Sequence, residues 1–168
     1  MPSLVVKDSM NFLSGSLYKL VEKIKKSKKN SSFPHLYHYF VNNHMKKRKV
    51  KHQDFKLLLR KGVFPYSYIN NFKVFEETKL PCKEAFYDDL RKEHITDEDY
   101  QHAQQIWTAF KIKNLGEYSD LYNETDTILL ADVMERFRSS TMKEHNLDPM
   151  HYLTLPGWNY YRIIININ

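Results

Sequence analysis

From Leu115 to Phe137 the apolar residues recur at a helical spacing and gather on one side of the chain. Laid out at about 100° per residue, Leu115, Tyr118, Tyr122, Leu129, Val133 and Phe137 fall within about 60° of Tyr122. One carboxylate, Asp126, falls inside this stripe, about 40° from Tyr122. Glu117, Asp120, Glu124, Asp132 and Glu135 lie toward or beyond its edge. The helical period lasts from just after Gly116 to about Glu144. It predicts a long helix that turns one acid toward the core.

The same pattern marks shorter elements upstream. "SLVVKDS" (3–9) alternates as a short strand ending at Asp8-Ser9. "SLYKLVEKIKK" (16–26) spaces Leu17, Leu20, Val21 and Ile24 for a helix with Ser16 as N-cap. "KKSKKNSS" (25–32) is a lysine-rich loop. "HLYHYFVNNH" fits either a short helix or irregular chain. "DFKLLLRKG" reads as a helical turn closed by Gly62 at C′, and "VFPYSYI" as extended chain around Pro65. From Pro81 onward the signals are helical. "PCKEAFYDDLRKE" opens with a proline suited to a first turn. Thr96-Asp97-Glu98-Asp99 resembles a capping box with a shortened acid, and its helix buries Tyr100, Ala103, Ile106 or Trp107, and Phe110. Pro149 and Pro156 in "NLDPMHYLTLPGW" end the helical run. The tail "RIIININ" is low in complexity, and there is no internal repeat.

Composition narrows the function classes. The chain has 168 residues, enough for one domain with a core, and no run long enough to span a membrane. No apolar leader follows the first residues, so secretion is unsupported. The single cysteine, Cys82, excludes an internal disulfide and a multi-cysteine zinc site, and reads as a small buried side chain. Four glycines make no Gly-rich phosphate cradle. Charge is uneven: residues 1–61 carry +12 and the rest −6, for a net +6. A basic half rich in aromatics points to a polyanion such as DNA, or to a solvated basic face.

Burying an ionised carboxylate without partners costs several kcal/mol, so a core-facing Asp126 needs a metal, a cation or a cluster of donors. Tyr122 lies one turn before it on the same face. A carboxylate that holds divalent ions, beside a phenol that orients a water, suits phosphodiester hydrolysis. Taken alone, such a pair more often marks an Asp126 that meets a lysine or caps another element. His35, His38 and His44 have no acid or cysteine spaced to complete a metal site. "KKRKV" (46–50) matches a nuclear-import signal, and Lys46, Lys47, Arg48, Lys49 and Lys51 are the candidate nucleic-acid contacts.

"KGVFPYSYI", "LPCKEAFYDDL", "YSDLYNETDTILLADVMERFR" and "LDPMHYLTLPGW" occur in that order, preceded by "VVKDSMNFLSGSLYKLVEKI". Together they resemble family B DNA polymerases of the protein-primed type, found in viruses, organellar plasmids and large transposons. The resemblance covers roughly residues 5 to 160. It implies the later half of an α/β, RNase H-like 3′–5′ exonuclease domain, in which four carboxylates bind two divalent metals and a tyrosine assists. Tyr122 and Asp126 match the Y-x-x-x-D of its third motif, with Asp126 a metal ligand in an intact domain.

Asp-x-Glu and Asn-x-x-x-Phe/Tyr-Asp, the first two motifs, are not present, and Asp8 does not replace them. The polymerase motifs are not present either; "ETDT" (124–127) lies within a helix, whereas the polymerase Asp-Thr-Asp sits on a hairpin. The chain therefore reads as mainly α with one or two short strands. Residues 1–145 are a partial exonuclease domain, and 146–168 lead toward a polymerase domain, with a non-family tail from about residue 161. The parent would use Mg2+ or Mn2+, bind DNA and meet a terminal priming protein. This chain alone is expected to hold no metal tightly and to be inactive, at a nuclear or mitochondrial location. The alternatives are a non-catalytic DNA-binding module and a helical protein-interaction domain.

Overall fold

The computed structural model describes residues 7–27 and 33–167. It is organised around α5, Leu115–His145, a helix of 31 residues and so about 46 Å long. Its N-cap is Asn114, whose side chain accepts from the Glu117 N–H at 2.9 Å. It ends at Asn146, whose φ of 51° turns the chain into the left-handed region. The two boundaries match the span of the apolar period.

The other elements lean on this helix. α1, Leu17–Lys26, starts at Ser16, whose side chain accepts from the Lys19 N–H, and buries Val21 and Ile24. α2, Pro34–Phe40, buries Leu36 and Phe40. It continues into a wider π-helical turn, Val41–Met45, and a last short turn, α3, Lys46–Arg48. α4, Asp97–Ala109, packs on the 3₁₀ segment His52–Leu58. Fully buried Phe40, Phe110, Leu36, Leu58, Leu115, Leu129 and Val21 form the centre of the core, with Phe40 and Phe110 edge to face at 6.1 Å. The predicted stripe is buried at Leu115, Tyr118, Tyr122, Leu129 and Val133, and Phe137 is half-buried against Phe12.

Several expectations need correction. No strand is present among the described residues; the one bridge pairs Asp88 with Glu93. Of the expected strand, residues 3–6 lie outside the described residues, while Asp8 caps a 3₁₀ turn, Ser9–Asn11. "PCKEAFYDDLRKE" holds only a 3₁₀ turn, Lys83–Phe86. Tyr87 is extended, and the Asp88 side chain takes the backbone N–H groups of Leu90 and Arg91, a local competitor of helix. The turn expected to close at Gly62 ends earlier, at Leu59. The tail is also ordered differently: α6, Leu155–Ile167, carries Pro156 in its first turn and runs through the low-complexity residues. It is pinned by buried Trp158, whose indole N–H donates to the Leu147 carbonyl at 3.4 Å. Among the described residues no helix is long and apolar enough to cross a membrane.

Candidate active site

Tyr122 and Asp126 stand one turn apart on α5, and the segment from Lys61 to Tyr66 crosses over them. The Tyr118 hydroxyl donates to the Val63 carbonyl at 2.7 Å, which ties the crossing segment to the helix. Phe64 stacks on the Tyr122 ring at 5.2 Å. Gly62 permits the close approach, because a Cβ there would come within 3.2 Å of that ring. Buried Pro65 then turns the chain so that the Tyr66 hydroxyl donates to the Tyr122 hydroxyl at 2.9 Å.

Asp126 is half-buried, and its Oδ1 is buried with no hydrogen-bond partner. Burial raises its carboxyl above the usual carboxylate range, opposed by the charge of Lys61 and by a hydrogen bond from Tyr122. The Tyr122 phenol is raised in turn, first by burial, then by its bond with Tyr66 and by the charge of Asp126. The result is a row of Tyr66, Tyr122 and Asp126 within the field of Lys61, ending in a carboxylate oxygen that is buried without a donor. Such an oxygen is an acceptor whose hydrogen-bonding capacity is unused in the folded chain.

Lys61 and Tyr66 were not singled out from the sequence. The hydroxyl pair spans 56 positions, a tertiary contact that no local period reveals. Their signal was their place in "KGVFPYSYI".

Asp132 corrects the sequence reading in the other direction. Assigned toward the edge of the stripe, it is 5% exposed. Its carboxylate accepts from the backbone N–H groups of His35 at 3.1 Å and Leu36 at 3.0 Å, and contacts His35 Nδ1 at 2.7 Å. It therefore caps α2, whose own N-cap, Phe33, has no side-chain acceptor. The alternative considered for Asp126, an acid that caps another element, is the role Asp132 takes.

The histidines do not converge. His35 meets Asp132, His38 meets Asn42 at 2.9 Å, and His44 is buried without a hydrogen-bond partner. Among the described residues no group of three or more His, Cys, Asp or Glu side chains could hold a metal ion. One orphaned carboxylate oxygen does not fit a two-metal centre. Cys82 is exposed rather than buried.

The basic run is exposed at Lys46, Lys47, Arg48, Lys49 and Lys51. Lys46 and Lys47 donate to Asn42 and Asn43, each at 2.8 Å. Arg48 pairs with Glu117 at 3.2 Å. Lys49 adopts a φ of 53°. Glu117 precedes Asp126 by nine residues on α5, about 13 Å along the axis. Lys47 and Arg48 also share a pocket with Asp120, Leu121 and Glu124 of α5. No protein-family model matches the chain, and neither a curated protein nor a solved structure matches it.

Proposed function

We propose that this chain is the third-motif half of an RNase H-like 3′–5′ exonuclease domain, part of a family B DNA polymerase of the protein-primed type, and that it is inactive alone. The observation that carries the reading is the unpaired Oδ1 of Asp126 beside Tyr122. A buried acceptor kept without a partner is costly, and it is retained where a ligand completes it. The resemblance of the segments around it supplies the chemistry: removal of a mispaired nucleotide from a DNA 3′ end. In this chain Asp126 offers one ligand, Tyr122 and Tyr66 offer hydroxyls toward a nucleophilic water, and Lys61 offers positive charge to a phosphate. Hydrolysis needs further carboxylates, so turnover is not assigned to this chain by itself.

The test has two parts. Sequencing the genomic DNA and the transcript on both sides of the reading frame should reveal Asp-x-Glu and Asn-x-x-x-Phe/Tyr-Asp upstream and the polymerase aspartates downstream. The purified chain should release no nucleotide from a 3′-labelled single strand in Mg2+ or Mn2+. A transcript that ends at this reading frame, with none of those motifs around it, overturns the proposal.

A second reading, a DNA-binding module without chemistry, draws on the exposed Lys46, Lys47, Lys49 and Lys51, none of which has a carboxylate partner among the described residues. It expects DNA affinity to fall steeply with salt, because phosphate contacts release counterions.

A further inference from the structure

α5 carries apolar side chains over more of its circumference than the core covers. Seen down the helix from Asp126, Tyr122, Leu129 and Val133 lie within about 60° on one side, and all three are buried. Leu130, Met134 and Ala131 lie about 40°, 80° and 140° around on the other side. There Leu130 and Met134 are half-buried and Ala131 is exposed. Asp126 therefore stands at the border between a closed apolar face and an open one.

The open face is one wall of a groove of about 430 Å³, and Phe12 and Met150 extend its apolar lining. Its charged residues are one base and one acid, Lys7 and Asp8, so the lining carries no net charge and suits an apolar occupant. Lys7 is the first described residue, and its ammonium donates to the carbonyls of Met150 and, at 2.9 Å, Tyr152. A longer polypeptide joined on the N-terminal side of Lys7 is thereby delivered to the groove, with the high effective concentration of an intramolecular partner.

Asp126 defines what that polypeptide must bring. Paired metal ions sit about 3.5–4 Å apart, so further carboxylate ligands have to approach Asp126 itself. Tyr122, Leu129 and Val133 fill its core side, which leaves the groove side for the approach. An apolar segment laid against Leu130 and Met134, with a carboxylate at the end nearest Asp126, meets both demands. We propose, resting on the exonuclease reading, that the groove is the docking surface for the polypeptide encoded upstream of this reading frame, an apolar segment that carries the missing carboxylates to Asp126.

The test places a thiol in the groove. Ala131→Cys is combined with Cys82→Ser, because Cys82 is exposed, and the rate of reaction with a maleimide is measured. Ala131 is exposed within α5, so the change leaves the core untouched. This chain is compared with the same chain extended by the coding DNA directly upstream. In this chain the thiol should react as fast as in urea. In the extended chain it should react at least about tenfold more slowly, because a covered site reacts only when it opens. As a second readout, Ala131→Arg, which keeps helix propensity, should lower the melting temperature of the extended chain and leave that of this chain unchanged. Equal labelling rates, or an equal effect of Ala131→Arg on both chains, overturn the groove assignment; where the extension carries Asp-x-Glu and Asn-x-x-x-Phe/Tyr-Asp, the exonuclease reading then stands without it. An upstream sequence that lacks those motifs overturns both. Protection that grows with the concentration of this chain alone gives the groove to a second copy and overturns the proposal.

Discussion

A buried acceptor without a donor is a weakness in the folded state, and Asp126 makes that cost measurable. Its carboxyl is raised by burial, so the folded chain binds the proton more tightly than the unfolded one. Relative stability from this group is fully present below the unfolded pKa and is lost as pH rises through the folded one. At neutral pH the ionised Asp126 therefore costs stability. Asp126→Asn should raise stability at pH 7 by up to about 1 kcal/mol, a gain that shrinks on acidification; urea melts at several pH values would show it. A variant less stable than the parent at pH 7 would mean that Lys61 and Tyr122 together outweigh the cost of burying the carboxylate. Gly62→Ala tests the other side of the pair. Its Cβ would press on the Tyr122 ring at 3.2 Å, with a cost of about 1–3 kcal/mol from overpacking, measured by the same melts. Asp126 was legible in the sequence because helical periodicity is a local property, and one acid in an apolar stripe breaks it. Tyr66 and Lys61 were not, since their approach is set by how a distant segment crosses the helix. Asp132 misled because a single stripe assumes one buried face, whereas α5 has neighbours on several sides.

At the scale of elements, what could be read ahead was whatever the chain settles locally. Ser16 and Thr96 cap the helices expected of them, because a hydroxyl and a nearby N–H need no tertiary partner. Even there the short acid changes the detail: Asp99 accepts from the Thr96 hydroxyl at 2.8 Å rather than reaching back to a backbone N–H. The segment from His52 to Glu93 was less legible, because its 3₁₀ turns are held by contacts with α4 and α5 more than by period. The docking of α2 on α5 rests on Asp132, and it yields the strongest stability prediction. Asp132→Ala removes the acceptor of the buried Leu36 N–H, of the part-buried His35 N–H and of the His35 ring, and should cost about 2–4 kcal/mol. Asp132→Asn, which keeps one carbonyl oxygen, should cost less; a smaller loss for alanine than for asparagine would refute the capping role. The π-helical turn adds a pH dependence. Burial holds His44 down at about 4, and its ordinary value is 6.5. A lowered histidine supports the fold above the unfolded pKa and loses that support as pH falls through the window to the folded one. His102 is lowered too, by burial outweighing its bond to the Leu57 carbonyl. Stability should therefore fall between about pH 6.5 and 4, with a flatter profile in His44→Phe.

For the molecule as a whole, the question is whether one long helix and its short companions hold a closed core. The centre is well filled around Phe40, Phe110 and Leu129. The periphery is not closed: Leu90 is 96% exposed, Leu153 66%, Tyr160 63% and Ile163 53%. Three of these lie within or just before α6, which is anchored chiefly through Trp158. A helix that turns Tyr160 and Ile163 to water gains little from its own burial, and short isolated helices are marginal in water. With no strand among the described residues to add a hydrogen-bonded layer, much of the fold depends on the packing of α1, α2 and α4 around α5. We therefore expect the purified chain to be marginally stable, to bind a dye that reports exposed apolar surface, and to self-associate as its concentration rises. Replacing Tyr160 and Ile163 together by Lys and Glu should reduce the self-association without moving the melting temperature, because neither residue is part of the core. Thermal unfolding followed at several concentrations, with sedimentation of the same samples, decides the matter. A single cooperative transition of a monomer, independent of concentration, would show that α5 and its partners suffice as a folding unit and that α6 leaves no adhesive face.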